Sequence, residues 1–178
     1  MKLIVVLMGK TLPIQVIENL KSLLHRMGLS LNESKTRQID ARNESFNFLG
    51  FTIRYDQDLK GRNIQYWNIM PSKKSKQKIR YKVKEYLKTH GHYKAHDVVI
   101  GLNTIMRGWL NFFDIAGVSY PAMSKRRLRV YLSNSLYRYY NRKSQRKCRL
   151  YGQKAFEVLV TKFGLIDPSK YVYSLVRL

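Results

Sequence analysis

Between Tyr137 and Tyr151 aromatic and cationic side chains alternate: Tyr137, Tyr139, Tyr140 and Tyr151 lie among Arg138, Arg142, Lys143, Arg146, Lys147 and Arg149. The chemistry this pattern offers is binding, not bond-making. Guanidinium forks grip phosphate oxygens, and aromatic faces stack on unpaired bases. Some of these tyrosines must belong to a core, and spacing alone does not say which. A second basic run holds Lys73, Lys74, Lys76, Lys78, Arg80, Lys82, Lys84 and Lys88 against one acid, Glu85. Arg126 and Arg127 open a third, and Arg107 and Asn111 flank Gly108 on the polar side of an apolar stretch. A charge run is often only a solvated face. Here the excess is nearly uncompensated, with no acidic residue from Ile115 to Phe156.

Other reactive side chains make weaker patterns. His90, His92 and His96 lie far from Cys148 and lack an accompanying carboxylate pattern, so they read as a polar loop and not as metal ligands. Cys148 sits among cations that favour a thiolate, but no base is placed beside it, so it reads as passive. Two-metal phosphoryl transfer needs converging carboxylates. Asp40, Asp56, Asp58, Asp97, Asp114 and Asp167 are scattered, and Asp56 and Asp58 read as turn residues beside Lys60. The sequence therefore nominates no catalytic residue and no metal ligand.

Composition agrees with a polyanionic partner. The 178 residues carry a net charge of +23, from 34 basic and 11 acidic residues. Such an excess self-repels and weakens a compact state unless phosphates neutralise it. A hydrophobic content of 44% supports a real core, which excludes a disordered basic tail. One cysteine excludes a disulfide framework and fits a reducing compartment, either the cytoplasm with its nucleoid or an organelle. No stretch approaches the roughly 20 apolar residues of a membrane span, and Leu3 to Met8 is too short and lacks the cleavage site of a signal peptide.

The elements that must position these side chains are legible from periodicity. Leu3 to Met8 reads as a buried strand ended by Gly9. Pro13 opens a helix with Ile14, Ile17, Leu20, Leu24 and Met27 on one face and Gly28 past its end. Leu29 to Leu31 reads as a short strand. Phe46 to Tyr55 and Ile64 to Met70 read as a hairpin joined by a polar turn around Gly61. After Pro71 the chain reads as helical. Lys73 to Lys88 has the stripe Ile79, Val83, Tyr86 and Leu87. Asp97 is placed to cap a helix bearing Val98, Leu102, Ile105, Met106, Trp109, Leu110 and Phe113. Gly108 inside that helix, costing about 1 kcal/mol against alanine, suggests a close approach by another helix or by an RNA backbone. Gly117 to Pro121 is a turn. Ser124 is placed to cap a basic helix with Leu128, Tyr131, Leu132, Ser135 and Tyr139 inward. Ala155 to Phe163 forms a shorter helix, stopped by Gly164 and Pro168.

Three stretches resemble one family. Leu102-Asn103, then Arg107-Gly108-Trp109 and Asn111-Phe112-Phe113, resembles the LNxxxRGWxNYF stretch of the group II intron maturase domain. Gly28 to Thr36 resembles GLxLNxxKT, and Phe46 to Phe51 resembles FxFLGF, the last two sequence blocks of the reverse-transcriptase palm in the same proteins. The resemblance runs from Gly28 to about Phe163 in the family's order. It implies an α+β fold: residues 1–70 as a small mixed α/β end-of-palm piece, and residues 71–178 as an all-α thumb or maturase domain. It implies that Lys35 lies near nucleotide or template, and that Phe48, Leu49 and Gly50 form a primer-positioning hairpin. It implies group II intron RNA as partner, together with an RNA–DNA template-primer duplex, and Mg2+ as cofactor of the intact polymerases. The sequence contains no Tyr-Ala-Asp-Asp turn, which carries the family's metal ligands. The expectation is a maturase-type piece of a reverse transcriptase, without polymerase activity of its own. A truncated gene, a split gene completed in trans by a fingers-palm polypeptide, and an isolated domain all fit. A basic RNA-binding protein of ribosomal type is the alternative from another class.

Overall fold

The computed structural model describes residues 14–32, 36, 39–58, 64–142, 148, 150–152 and 154–172. The expected strand at Leu3 to Met8 and the helix-opening Pro13 lie outside them. Two compact units divide the chain, Met1–Ile39 and Asp40–Leu178. The described residues hold five helices and one three-stranded antiparallel sheet, an α+β fold whose C-terminal part is helical.

In the first unit, α1 (Ile14–Arg26) ends as its sequence dictates. Gly28 takes φ +71°, and the Leu29 N–H turns back to the Leu24 carbonyl at 2.9 Å. Glycine occupies that left-handed position without a Cβ penalty. The short strand expected at Leu29 to Leu31 is not formed, and those residues belong to no sheet.

The second unit begins with the sheet. The single strand expected from Phe46 to Tyr55 is two: β1 (Phe46–Phe48) and β2 (Phe51–Gln57), with β3 (Gln65–Pro71) on the other edge of β2. Phe48 pairs with Phe51, leaving Leu49 (φ 45°) and Gly50 (φ 88°) as a two-residue turn. Two positive φ angles are what a type I′ hairpin turn requires. The Phe-Leu-Gly-Phe wording reads as uninterrupted apolar strand and hides this turn. Asp56 is also not a turn residue. It lies in β2 opposite Tyr66, where its carboxylate accepts from Arg54 and, at 2.7 Å, from Asn68. Burial opposes its ionisation, but those two donors prevail and hold its pKa below the ordinary value.

Helices follow at once. Ser72 caps α2 (Lys73–Thr89), its hydroxyl accepting from the Ser75 N–H. The Ser75 hydroxyl and the Ser72 N–H both donate to the Gly50 carbonyl, at 2.8 and 2.9 Å, which ties the turn to the helix start. α3 (Ala95–Phe113) starts earlier than expected. Its cap position is Lys94, and Asp97 falls in the first turn, where a negative charge favours the helix dipole. α4 (Ala122–Arg142) likewise begins before Ser124, which is a buried residue inside the helix and not its cap. α5 (Ala155–Phe163) ends at Gly164 with φ 72°.

The core is a single cluster. Ile79, Val83 and Leu87 of α2 meet Val98, Leu102, Met106, Trp109, Leu110 and Phe113 of α3. Leu128, Leu132, Leu136 and Tyr140 of α4, and Phe156 and Leu159 of α5, complete it. Phe51 joins the sheet to it, edge-on to Phe113 (4.8 Å) and stacked on Phe112 (5.6 Å). No described helix is long and apolar enough to cross a membrane.

Candidate nucleic-acid interface

Burying one face of a basic helix fixes where its cations go. In α2, inward Ile79, Val83 and Leu87 repeat every fourth residue, which leaves Lys73, Lys74, Lys78, Lys82, Lys84 and Lys88 exposed. In α4 the buried row is Leu128, Leu132, Leu136 and Tyr140, one step round from the row expected. Arg126, Arg127, Arg138 and Arg142 are exposed on its outer side, with Tyr137 among them.

The tyrosines now separate. Tyr140 is 3% exposed and belongs to the core, whereas Tyr137 is 52% exposed. Tyr151 is exposed as well. Tyr139 is half-buried, its hydroxyl donating to the His90 carbonyl at 2.7 Å. Burial pushes its phenol pKa up to about 12, with Tyr86 and Cys148 adding to the shift. Two basic residues of α4 turn inward to acids. Lys125, 9% exposed, reaches Asp114 at 2.8 Å and also donates to the Tyr171 carbonyl. Arg129 pairs with Asp167 at 3.1 Å.

Lys76, Arg80 and Arg127 come together where α2 meets α4. Burial first, then the charges of Arg127 and Arg80, hold the Lys76 ammonium below its ordinary pKa. Arg80 lies 5.5 Å from the ring centre of Tyr131, whose hydroxyl donates to the Arg80 carbonyl. Lys35, Lys143, Arg146 and Arg149 lie outside the described residues.

Along α3, packing accounts for most of the Gly101–Phe113 stretch. The close approach inferred at Gly108 is at Gly101 instead. A Cβ on Gly108 would meet nothing, and the residue is exposed, so no helix packs there among the described residues. A Cβ on Gly101 would strike the Tyr86 ring, which crosses at that point to donate to the Asp97 carbonyl at 3.1 Å. Asn103, whose part the sequence did not signal, clamps the segment after α5. It donates to the Gly164 carbonyl and accepts from the Ile166 N–H, both at 2.9 Å. Asn111 is exposed but accepts from the Tyr171 hydroxyl at 2.6 Å. Trp109 anchors the core as its spacing suggests. Arg107, Gly108 and Phe112 remain on the outer face, with Phe112 52% exposed.

Phe48 ends β1, and Leu49 and Gly50 form the β1–β2 turn. Phe48 and Leu49 line one side of an apolar cleft of about 510 Å3 that Phe112, Ile115 and Val118 close on the other. The histidines do not gather. His90 stacks on Tyr86 at 4.2 Å, and His92 and His96 are exposed. Cys148 is half-buried, its thiol donating to the Tyr140 carbonyl. No group of three His, Cys, Asp or Glu side chains able to hold a metal ion occurs among the described residues.

Two basic helices over a shared core, with an aromatic among the arginines, present cations at a spacing that a phosphate backbone can use. No curated protein matches the chain. The family model "Group II intron, maturase-specific domain" matches residues 76–154, the span from Lys76 in α2 to Lys154 just before α5. It contains the Arg107–Phe113 stretch, the arginines of α4 and the Lys76, Arg80 and Arg127 cluster, and over that span the chain is similar to the group II intron maturase-specific domain.

Proposed function

We propose that the helical unit binds group II intron RNA through the outer faces of α2 and α4 and so assists intron folding and splicing. One observation carries this reading: within the matched span the exposed faces of both helices are cationic, while Asp114, just after α3, and Asp167, after α5, are occupied with Lys125 and Arg129. Cations left without internal partners neutralise phosphates and release counterions on binding. Tyr137 and Phe112 supply exposed aromatic faces for unpaired bases. A template-primer duplex is a second ligand of the same surface. The reason is the β1–β2 turn: Leu49 projects at its tip, and its Gly50 carbonyl is bound to the start of α2, so the tip keeps a fixed position beside the basic helix.

Polymerisation belongs, in this reading, to polypeptides that carry the metal-binding aspartates and their Mg2+, a fingers-palm chain acting in trans among them. The test of the RNA reading is equilibrium binding of the full chain to a group II intron RNA and to ribosomal RNA fragments of equal length, at one salt concentration. Tighter binding to intron RNA by tenfold or more is expected. Equal affinity would favour a general basic RNA-binding protein.

A further inference from the structure

The register of β2 and β3 sorts their side chains onto two faces. Tyr55 pairs with Trp67, Gln57 with Gln65 and Ile53 with Ile69, so these six side chains share one face. Arg54, Asp56 and Asn68 alternate to the other, where the Asp56 carboxylate accepts from Arg54 and Asn68. On the first face the rings of Tyr55 and Trp67 lie 4.9 Å apart, tilted by 49°. Trp67 is 43% exposed, and the neighbouring pair Gln57 and Gln65 is exposed too.

A cross-strand aromatic pair steadies a hairpin, which accounts for the contact between the two rings. It does not account for what surrounds them. The pair sits between two carboxamides on one side and Ile53 and Ile69 on the other. The one acid of β2 and β3, Asp56, is on the opposite face and is occupied there by Arg54. The aromatic face is thus free of carboxylates along both strands. Such a face matches an unpaired nucleobase: a π surface to stack on, and amides that donate and accept at base edges. Charge selects a nucleic acid over an apolar peptide as the occupant. β3 ends at Pro71, which lies about 13 Å beyond Trp67 at the rise of a strand. Lys73 and Lys74 follow at once, both exposed. A strand stacked on Trp67 therefore has cations for its phosphates close by, whereas an apolar peptide would gain nothing from them.

We propose that Tyr55 and Trp67 form a base-stacking platform, on which an unpaired base of the bound RNA lies against the indole while Gln57 and Gln65 meet its edge. The platform precedes the span 76–154 that matches the maturase family. The proposal deepens the RNA-binding reading and rests on it. It adds a preference for single-stranded over paired RNA. The basic helix faces do not supply that preference, because phosphates are common to both.

The experiment measures affinity of the full chain, against salt, for single-stranded oligouridine and for an RNA duplex of equal length. The native chain is compared with Trp67→Leu, which keeps an apolar side chain but removes the π face, and with Trp67→Phe, which keeps a smaller one. Trp67→Leu should weaken single-strand binding by about tenfold, the scale of one stacked base. Its duplex affinity and both salt slopes should stay as in the native chain, because no charge is removed. Trp67→Phe should recover part of the loss. A second arm uses the native chain, whose two tryptophans are the exposed Trp67 and the buried Trp109. Acrylamide quenching therefore reads Trp67, and Trp67→Phe should remove most of it. Saturating oligouridine should protect the native indole. This arm decides if Trp67→Leu fails to fold. Native single-strand affinity in Trp67→Leu, equal losses on both RNAs in the folded variant, or an indole still open to acrylamide in the saturated complex would overturn the platform and leave RNA binding by the helices intact. A native chain that binds neither RNA would end the RNA-binding reading, and the platform with it.

Discussion

Alanine at Gly101 and alanine at Gly108 should move stability in opposite directions. Both glycines lie inside α3, where replacement by alanine intrinsically favours the helix by about 1 kcal/mol. At Gly108 the new methyl meets open space, so most of that gain should survive. At Gly101 the methyl takes the place of the Tyr86 ring. Displacing the ring breaks its bond to the Asp97 carbonyl, about 1 kcal/mol, and its stack on His90, about 0.5–1.5 kcal/mol. If the ring stays, overpacking costs about 1–3 kcal/mol. Net of the propensity gain, Gly101→Ala should destabilise by roughly 1–2 kcal/mol, so the two variants differ by roughly 2–3 kcal/mol, or on the order of 5–10 °C in Tm for a chain of this size. Circular dichroism melts of both variants measure this directly. Adding Tyr86→Ala to Gly101→Ala makes room for the methyl, so the second change should cost less there than in the native background. A Gly101→Ala protein as stable as the parent, or a less stable Gly108→Ala protein, would refute the packing described between α2 and α3.

Other consequences follow from the same contacts. Asn103→Ala leaves the Gly164 carbonyl and the Ile166 N–H without their partner, and should cost about 1–3 kcal/mol in denaturant unfolding; a neutral change would mean the clamp is idle. Tyr139 is raised to about 12 in the fold against about 10 unfolded, so its phenol contributes stability below pH 10 that is lost between pH 10 and 12. Tyr139→Phe should flatten that part of the stability profile, and an unchanged alkaline slope would contradict the burial assigned to the hydroxyl. Primer extension by the chain with Mg2+ and nucleotides should not exceed a no-protein control, since no Tyr-Ala-Asp-Asp stretch occurs in the sequence; incorporation that survives further purification would show otherwise.

What could be read in advance was what depends on neighbours along the chain. α2, α3 and α5 follow from 3.6-residue periodicity and, in α5, from a terminating glycine. Local signals failed where the chain turns without polar punctuation. The Leu49–Gly50 turn is spelled in hydrophobic residues and shows itself only through strand pairing. Asp97 and Ser124 are good cap residues by type, but helices α3 and α4 extend past them. Which tyrosine of α4 faces inward turned on one step of rotation, set by contacts with α2 and α5. Which glycine of α3 is closely approached depends on Tyr86, fifteen residues earlier in a different helix. The same holds for the candidate site. Lys76 and Arg80 are four residues apart and predictably neighbours, but Arg127 and Trp109 join them from two other helices. Exposure of Arg126, Arg138 and Arg142 could be anticipated from charge alone.

The most direct test of RNA binding by these faces is the salt dependence of intron RNA affinity for the native chain and for Arg126→Gln/Arg138→Gln/Arg142→Gln. All three side chains are exposed on α4, so melting temperature should hold within about 2 °C. Affinity should fall, and the slope of log K against log salt should lose up to about 0.9 in magnitude for each duplex phosphate contact removed. An unchanged slope with unchanged affinity would mean the outer face of α4 is merely solvated, and the account of this domain as an RNA-binding surface would fail.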